Sequence, residues 1–252
     1  MEQFSLKGKT ALITGASRGI GEAISCLLAQ QGAFCILVSR KADDLAIVEN
    51  EIRSKGGSAV SVACNVGSMD QIKELMAHVE EKYGRLDILI NNAAANPYFG
   101  EMINAEEWAW DKTNDVNLKG PFFMIQHASR LMKKNSGGSI VNVSSVNGVQ
   151  PALFQGIYSI TKAGLITMTR ACARELAPHN IRVNALLPGL TDTKFASAIT
   201  KNEDIKNLIL PQIPMGRIAT PEEMAPAVLY LVSDAASYTT GICLACDGGM
   251  LC

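Results

Sequence analysis

The run Thr10-Ala11-Leu12-Ile13-Thr14-Gly15-Ala16-Ser17-Arg18-Gly19-Ile20-Gly21 sets a short apolar, β-branched segment directly against a glycine turn, and a helical pattern continues from Ile20 to Gln31. Glycines at these positions allow a tight turn, let the backbone approach a pyrophosphate and let the helix pack on the strand. The helix N-terminus adds unpaired N–H groups and the positive end of a dipole. With 21 glycines among 252 residues, chance would give this spacing roughly 0.15 times per chain, so its placement between strand and helix carries the weight. A glycine turn with no ligand is the bland alternative; the placement favours a dinucleotide.

Working outward, short apolar runs alternate with helical patterns along the whole chain. Strands are predicted at Thr10–Thr14, Ala33–Ser39, Ala59–Cys64, Leu86–Asn91, Ser139–Ser144, Ile181–Leu187 and Ile242–Cys246. Several show no polar alternation, which is how strands read when a parallel sheet is covered on both faces. Helices are predicted at Ile20–Gln31, Asp43–Lys55, Met69–Tyr83, a long stretch Ala105–Lys134, Gln155–Ala177 and Pro221–Ser233. Gly32 and Gly84 stop two of them, and Thr220-Pro221-Glu222-Glu223 starts the last with a hydroxyl cap, proline and acids. This alternation predicts one α/β domain, a doubly wound parallel sheet with right-handed crossovers. The stretch 191–217 breaks the rhythm, mixing polar residues with Phe195, Leu208 and Ile209, and reads as a lid over the substrate.

The composition is 48% hydrophobic and 19% charged, with a net charge of −1 and no long run of Lys and Arg. Such a balance gives no reason to expect nucleic acid or an anionic membrane as partner. Seven cysteines form an odd set without framework spacing. Cys243-Leu244-Ala245-Cys246 has the outline of a metal or redox pair, but it lies in a β-like run with no second pair or nearby His, so core packing is expected and no metal. The start Met1-Glu2-Gln3-Phe4-Ser5 has no apolar signal core, and the expected compartment is the cytoplasm.

Tyr158-Ser159-Ile160-Thr161-Lys162 puts a phenol and an ammonium one turn apart on a helix face. A phenol titrates near ~10, and a neighbouring cation lowers that value toward the range useful for general acid–base work. The pair alone is weak evidence, with roughly 0.3 chance occurrences expected. In company with the glycine spacing G-x-x-x-G-x-G, with Ser145 thirteen residues upstream and with Asn117 in Asp115-Val116-Asn117-Leu118-Lys119, the chain resembles the short-chain dehydrogenase/reductase family in its compact one-domain branch. The resemblance runs from about Lys7 to Gly249 and implies a Rossmann-type fold with seven parallel strands.

What the family does implies roles for these positions. Asn117, Ser145, Tyr158 and Lys162 correspond to the catalytic set. Ser145 binds substrate, Asn117 holds a water in a proton relay, and Lys162 also contacts the nicotinamide ribose. The glycine segment contributes Gly15, Ser17, Arg18, Gly19, Ile20 and Gly21 to the dinucleotide site. After the third and fourth strands, Asn65 and Val66, then Asn92 and Ala93, match the adenosine contacts, with Asn65 where the family has Asp and Ala94 where it has Gly. Pro188, Gly189, Thr191 and Thr193 match the segment against the carboxamide. At the end of the second strand, users of NAD place a carboxylate for the ribose 2′-hydroxyl, whereas a 2′-phosphate needs a cation. Here stand Ser39, Arg40 and Lys41, with no acid until Asp43, so NADP(H) is expected.

The expected reaction interconverts a ketone or aldehyde and an alcohol. The wall near the chemistry is expected from Asn96, Pro97, Tyr98, Phe99, Val146, Asn147, Gln150, Leu153, Leu190 and Phe195, mostly apolar with a few amides. A 3-oxoacyl-carrier-protein reductase is the alternative within the family. It would need a basic patch at the cleft mouth, for which Lys194, Lys201 and Lys206 are the candidates, interleaved with Asp192, Glu203 and Asp204. A dinucleotide-sensing regulator without chemistry is the alternative of another class. The resemblance also implies a homodimer or homotetramer built on the two long helices and the last strand.

Overall fold

The computed structural model describes residues 2–200 and 203–252. Seven strands form one sheet in the order β3-β2-β1-β4-β5-β6-β7, and every pairing is parallel. They are β1 Thr10–Thr14, β2 Phe34–Ser39, β3 Ser58–Ala63, β4 Ile88–Asn91, β5 Gly138–Val143, β6 Ile181–Pro188 and β7 Cys243–Cys246. The order reverses at β1, whose Ala11 pairs with Cys35 on one side and Ile88 on the other. At such a switch point the helices following adjacent strands lie on opposite faces and leave a crevice beyond the strand ends.

The helices are α1 Gly19–Gln30, α2 Ala42–Ser54, α3 Met69–Tyr83, α4 Glu107–Asn114, α5 Gly120–Lys134, α6 Gly156–Leu176, α7 Ser197–Thr200, α8 Glu203–Ile209 and α9 Ala225–Val232. Two cores follow from the period-two alternation of the strands. Ala11, Ile13, Cys35 and Leu37 face Ile24 and Leu28 of α1, Val48 of α2 and Val228 of α9. Leu12, Ile36 and Val38 face the other way, onto Ile72 and Val79 of α3 and Met124 and Leu131 of α5. Burying side chains of this size on both faces contributes about 1.5–3 kcal/mol each.

The N-terminal edge of the sheet is clasped by Asp87. Its Oδ2 accepts the Thr10 N–H at 2.8 Å, its backbone bonds to Thr10 and Ser139, and Arg85 holds the carboxylate at 3.0 and 2.6 Å. Gly84 ends α3 in the left-handed region, with φ of 66°, as its place after Tyr83 predicts.

Two expected helices differ from the sequence reading. The long one breaks at Asp115–Lys119, a π-helical turn between α4 and α5 that carries Asn117. The last begins as a 3-10 turn at Pro221–Glu223, where Thr220 and Glu223 form a reciprocal capping box. Cys243 and Cys246 stand three apart in a strand and so face opposite ways: Cys246 packs against the first core and Cys243 against a small cluster of Ile166, Ala185 and Leu187, so they form no pair. Among the described residues no cluster of His, Cys, Asp or Glu could hold a metal ion, and no helix is long and apolar enough to cross a membrane.

Candidate active site

Every loop singled out by the sequence leaves the C-terminal end of a strand, and together they line one cleft of about 940 Å³. The glycine turn follows β1, Ser39, Arg40 and Lys41 follow β2, Asn65 and Val66 follow β3, and Asn92 and Ala93 follow β4. At the far end lie Ser145 after β5, Tyr158 and Lys162 on α6, and Pro188, Gly189, Thr191 and Thr193 after β6. Asn117 alone does not border the cleft; it is fully buried behind it.

The glycine turn is held by β4. Asn92 donates through its side-chain nitrogen to the carbonyls of Thr14 and Gly15 at 2.9 and 3.2 Å, and Thr14 Oγ1 accepts the backbone N–H groups of Asn92 and Ala93. A Cβ at Gly21 would collide with the Gly15 carbonyl oxygen and lie 2.5 Å from Asn92 Nδ2, so this position requires glycine for close approach. Asn65 Oδ1 accepts the Gly67 N–H at 3.1 Å, leaving its amide nitrogen for the cleft.

The cleft fits a dinucleotide on three observations. Its length connects the glycine turn and the α1 N-terminus to Tyr158. Arg18, Arg40 and Lys41 border it, and among the described residues none of them forms an ion pair. The turn itself admits no side chain at Gly21. Asp43 sits in the first turn of α2 and does not border the cleft, whereas its neighbour Asp44, which no sequence feature singles out, does.

At the chemical end, Tyr158 and Lys162 are almost wholly buried, at 8% and 2% exposure. Burial pushes the phenol up to about 12, opposed by the Ser145 hydroxyl beside it. Burial also pushes the ammonium down to about 7. Lys162 Nζ donates to the Val143 carbonyl at 2.8 Å and lies 5.5 Å from the centre of the Tyr158 ring. The expected lowering of the phenol by its lysine is therefore not what the open cleft has. Both groups are desolvated together, and a lysine pushed toward neutrality exerts little pull on its neighbour. The Asn117 carboxamide is engaged throughout: its oxygen accepts the Ala95 N–H at 2.7 Å, and its nitrogen donates to the Ala95 carbonyl at 2.9 Å and to Thr161 Oγ1 at 3.1 Å.

Of the expected wall, Asn96, Phe99, Val146, Asn147, Gln150, Leu153, Leu190 and Phe195 border the cleft. Pro97 and Tyr98 do not; the Tyr98 hydroxyl turns back to donate to the Glu101 carbonyl at 2.7 Å. The sequence reading missed Phe154, Gln155, Met250 and Leu251, which border it too. Gln155 stands one turn before Tyr158, a spacing that could have pointed to it; the last two carry no local signal. Lys194 borders the cleft, Lys206 pairs with Glu203 at 3.3 Å, and Lys201 and the side chain of Asp204 lie outside the described residues.

A family model described as enoyl-(acyl carrier protein) reductase matches residues 15–251. The chain is 42% identical to a 3-oxoacyl-(acyl-carrier-protein) reductase of Thermotoga maritima over 98% of its own length and 99% of the relative's. It is 37% identical to dehydrogenase/reductase SDR family member 4 of Homo sapiens, over 97% and 88% of the two chains. Among solved structures, a gluconate 5-dehydrogenase from Burkholderia cenocepacia in complex with NADP and tartrate superposes with a TM-score of 0.95 at 28% identity, over 99% and 98% of the two chains. With the fold, the cleft and these likenesses in agreement, the chain is a member of the short-chain dehydrogenase/reductase family, an oxidoreductase acting between CH–OH and C=O groups.

Proposed function

We propose that the protein is an NADP(H)-dependent oxidoreductase that interconverts a ketone or aldehyde and an alcohol, with Tyr158 as its general acid and base. The observation that carries this reading is one cleft with Arg40 at one end and the buried Tyr158, beside Ser145, at the other. When bound, the nicotinamide dinucleotide supplies or accepts the hydride. Ser145 and Tyr158 hold the carbonyl oxygen by hydrogen bonds, stabilising negative charge where it develops. Tyr158 gives that oxygen its phenolic proton in reduction and takes it back in oxidation. Lys162 orients the ribose and sits where a proton can pass toward Tyr158. Asn117 holds the Ala95 loop and the α6 helix together through Thr161, and in this reading it belongs to the proton relay that the family resemblance implies. Phe195, in the stretch expected to act as a lid, lies against the Tyr158 ring at 5.8 Å between centroids, which supports a substrate-covering role for the described part of that stretch.

The cofactor assignment is tested by fluorescence titration with NADPH and NADH. Losing one charge-assisted phosphate contact costs about 1.5–3 kcal/mol, so NADPH should bind roughly ten- to a hundred-fold more tightly. Arg40→Ala should remove most of the difference. Equal or tighter NADH would mean that a carboxylate such as Asp44, not Arg40, meets the ribose.

A second reading is favoured by the relative from Thermotoga maritima: reduction of a 3-oxoacyl group on a carrier protein. Of the lysines expected to receive an acidic carrier, Lys194 is the one that borders the cleft, and it forms no ion pair among the described residues. Turnover of a 3-oxoacyl-CoA thioester would support this reading, and its absence under conditions that reduce simple ketones would remove it. The seven unpaired thiols fit a reducing cytoplasm. Exposed Trp108, Trp110, Phe122 and Ile160 on α4, α5 and α6 fit a homodimer or homotetramer built on those helices. Light scattering on a size-exclusion column should give two or four times the chain mass, and a stable monomer would exclude it.

A further inference from the structure

Gln155 is 8% exposed, directly precedes α6 and stands three residues before Tyr158. Its side chain makes no capping bond, so the start of the helix does not account for its burial. Its Oε1 accepts from Asn96 Nδ2 at 3.1 Å. Among the described residues nothing accepts from Gln155 Nε2 and nothing donates to Asn96 Oδ1, yet neither atom is sealed inside the protein. Both residues border the cleft, so the pair presents one free donor and one free acceptor to it.

The local backbone is bent to achieve this. Phe154 adopts a φ of 63°, a region that bulky side chains avoid and that clusters at functional sites. The bend throws the Phe154 ring onto Phe99, 5.9 Å between centroids, and the Gly100 N–H fixes it by donating to the Phe154 carbonyl at 2.9 Å. The next residue, Gln155, is turned inward.

We propose that the Asn96–Gln155 carboxamide pair is a second recognition point for the substrate, binding an oxygen substituent on the carbon α or β to the reacting carbonyl. The inference rests on the reading of Tyr158 as the acid at the reacting oxygen. Gln155 stands three residues before Tyr158 and both border the cleft, so an oxygen held by the pair belongs to the same end of the substrate as the oxygen held at Tyr158. Phe99, Leu153, Phe154 and Phe195 supply apolar surface around it. The substrate class is therefore a dicarbonyl, hydroxycarbonyl or β-keto compound bearing an apolar group. A ketone without the second oxygen leaves a buried amide unpaired, and sites of that kind discriminate strongly.

Benzil and deoxybenzoin make the test, since they differ in replacing one carbonyl by CH₂. Their different intrinsic electrophilicity cancels when the ratio of kcat/KM for the two is compared between wild type and variants. Gln155→Leu should lower the benzil preference roughly ten- to a hundred-fold, and Asn96→Ala should lower it in the same direction. Cofactor titration and thermal unfolding of both variants check that the cleft is intact. An unchanged ratio, with both ketones slowed in equal proportion, assigns Gln155 a structural role and overturns the proposal. If wild type reduces neither ketone nor any simpler carbonyl, the Tyr158 reading fails first and the proposal falls with it.

Discussion

Tyr158→Phe should lower carbonyl reduction by about 10³-fold while leaving the NADPH dissociation constant within about three-fold of the parent, since positioned proton transfer contributes about 10²–10⁴-fold. The phenyl ring keeps its packing against Phe195 and its place beside Lys162, so the variant removes a proton and little else. The direction of the phenol's shift sets the pH behaviour. With the phenol pushed up to about 12, the proton needed for reduction stays in place across the neutral range. Oxidation needs the phenolate, whose population rises ten-fold per pH unit below that value. Alcohol oxidation by the parent should therefore climb with pH, with a logarithmic slope near one, and the cationic oxidised nicotinamide ring moves the climb to lower pH. The slope should vanish in the variant. A Tyr158→Phe enzyme that reduced carbonyls at the parent rate would show that another group supplies the proton.

Lys162→Met should have two large effects of opposite sign. Catalysis should fall by at least about 10²-fold, because the group that orients the ribose and neighbours the phenol is gone. The empty protein should become more stable. The ammonium falls from its usual 10.5 to about 7 on burial, which corresponds to about 5 kcal/mol against the charged form. Stranding the Val143 carbonyl offsets about 1–3 kcal/mol of this, leaving a gain of about 2–4 kcal/mol below pH 7. Between about 7 and 10.5 the unfolded chain holds a proton that the folded chain has lost, so parent stability rises with pH across that window. The variant lacks this rise, and the two should converge toward pH 10. Urea unfolding at pH 6 and pH 9 reads both; a variant less stable than the parent at pH 6 would mean that Lys162 is held by more than Val143.

Strands and most helices were legible because each carries its own period. β1 and α3 match their predicted bounds, and the remaining strands differ by one or two residues at an end. The break at Asp115–Lys119 was not legible: its apolar pattern continues through, and the π turn accompanies a buried carboxamide that meets Ala95, a residue on a distant loop. The residues of the cleft were legible where a strand end announced them. Met250 and Leu251 reach it on the turn after β7, which Asp247 holds by accepting the Gly249 and Leu251 N–H groups, while Tyr98 does not border it and donates to the Glu101 carbonyl. The burial of the Tyr158–Lys162 pair was not legible for a related reason. Spacing brings the lysine near, but only packing reveals that the lysine itself is dehydrated.

The Asp87 clasp has a consequence for how such a chain can change over generations. It ties β1, β4 and β5 together at the edge of the sheet opposite the cleft. Substitutions there and substitutions around Gln155 share no partner, and effects at separated sites with no shared partner add within about 0.5 kcal/mol. Heat tolerance and substrate choice are thus separately heritable traits in this molecule. Lineages can drift in one while selection acts on the other.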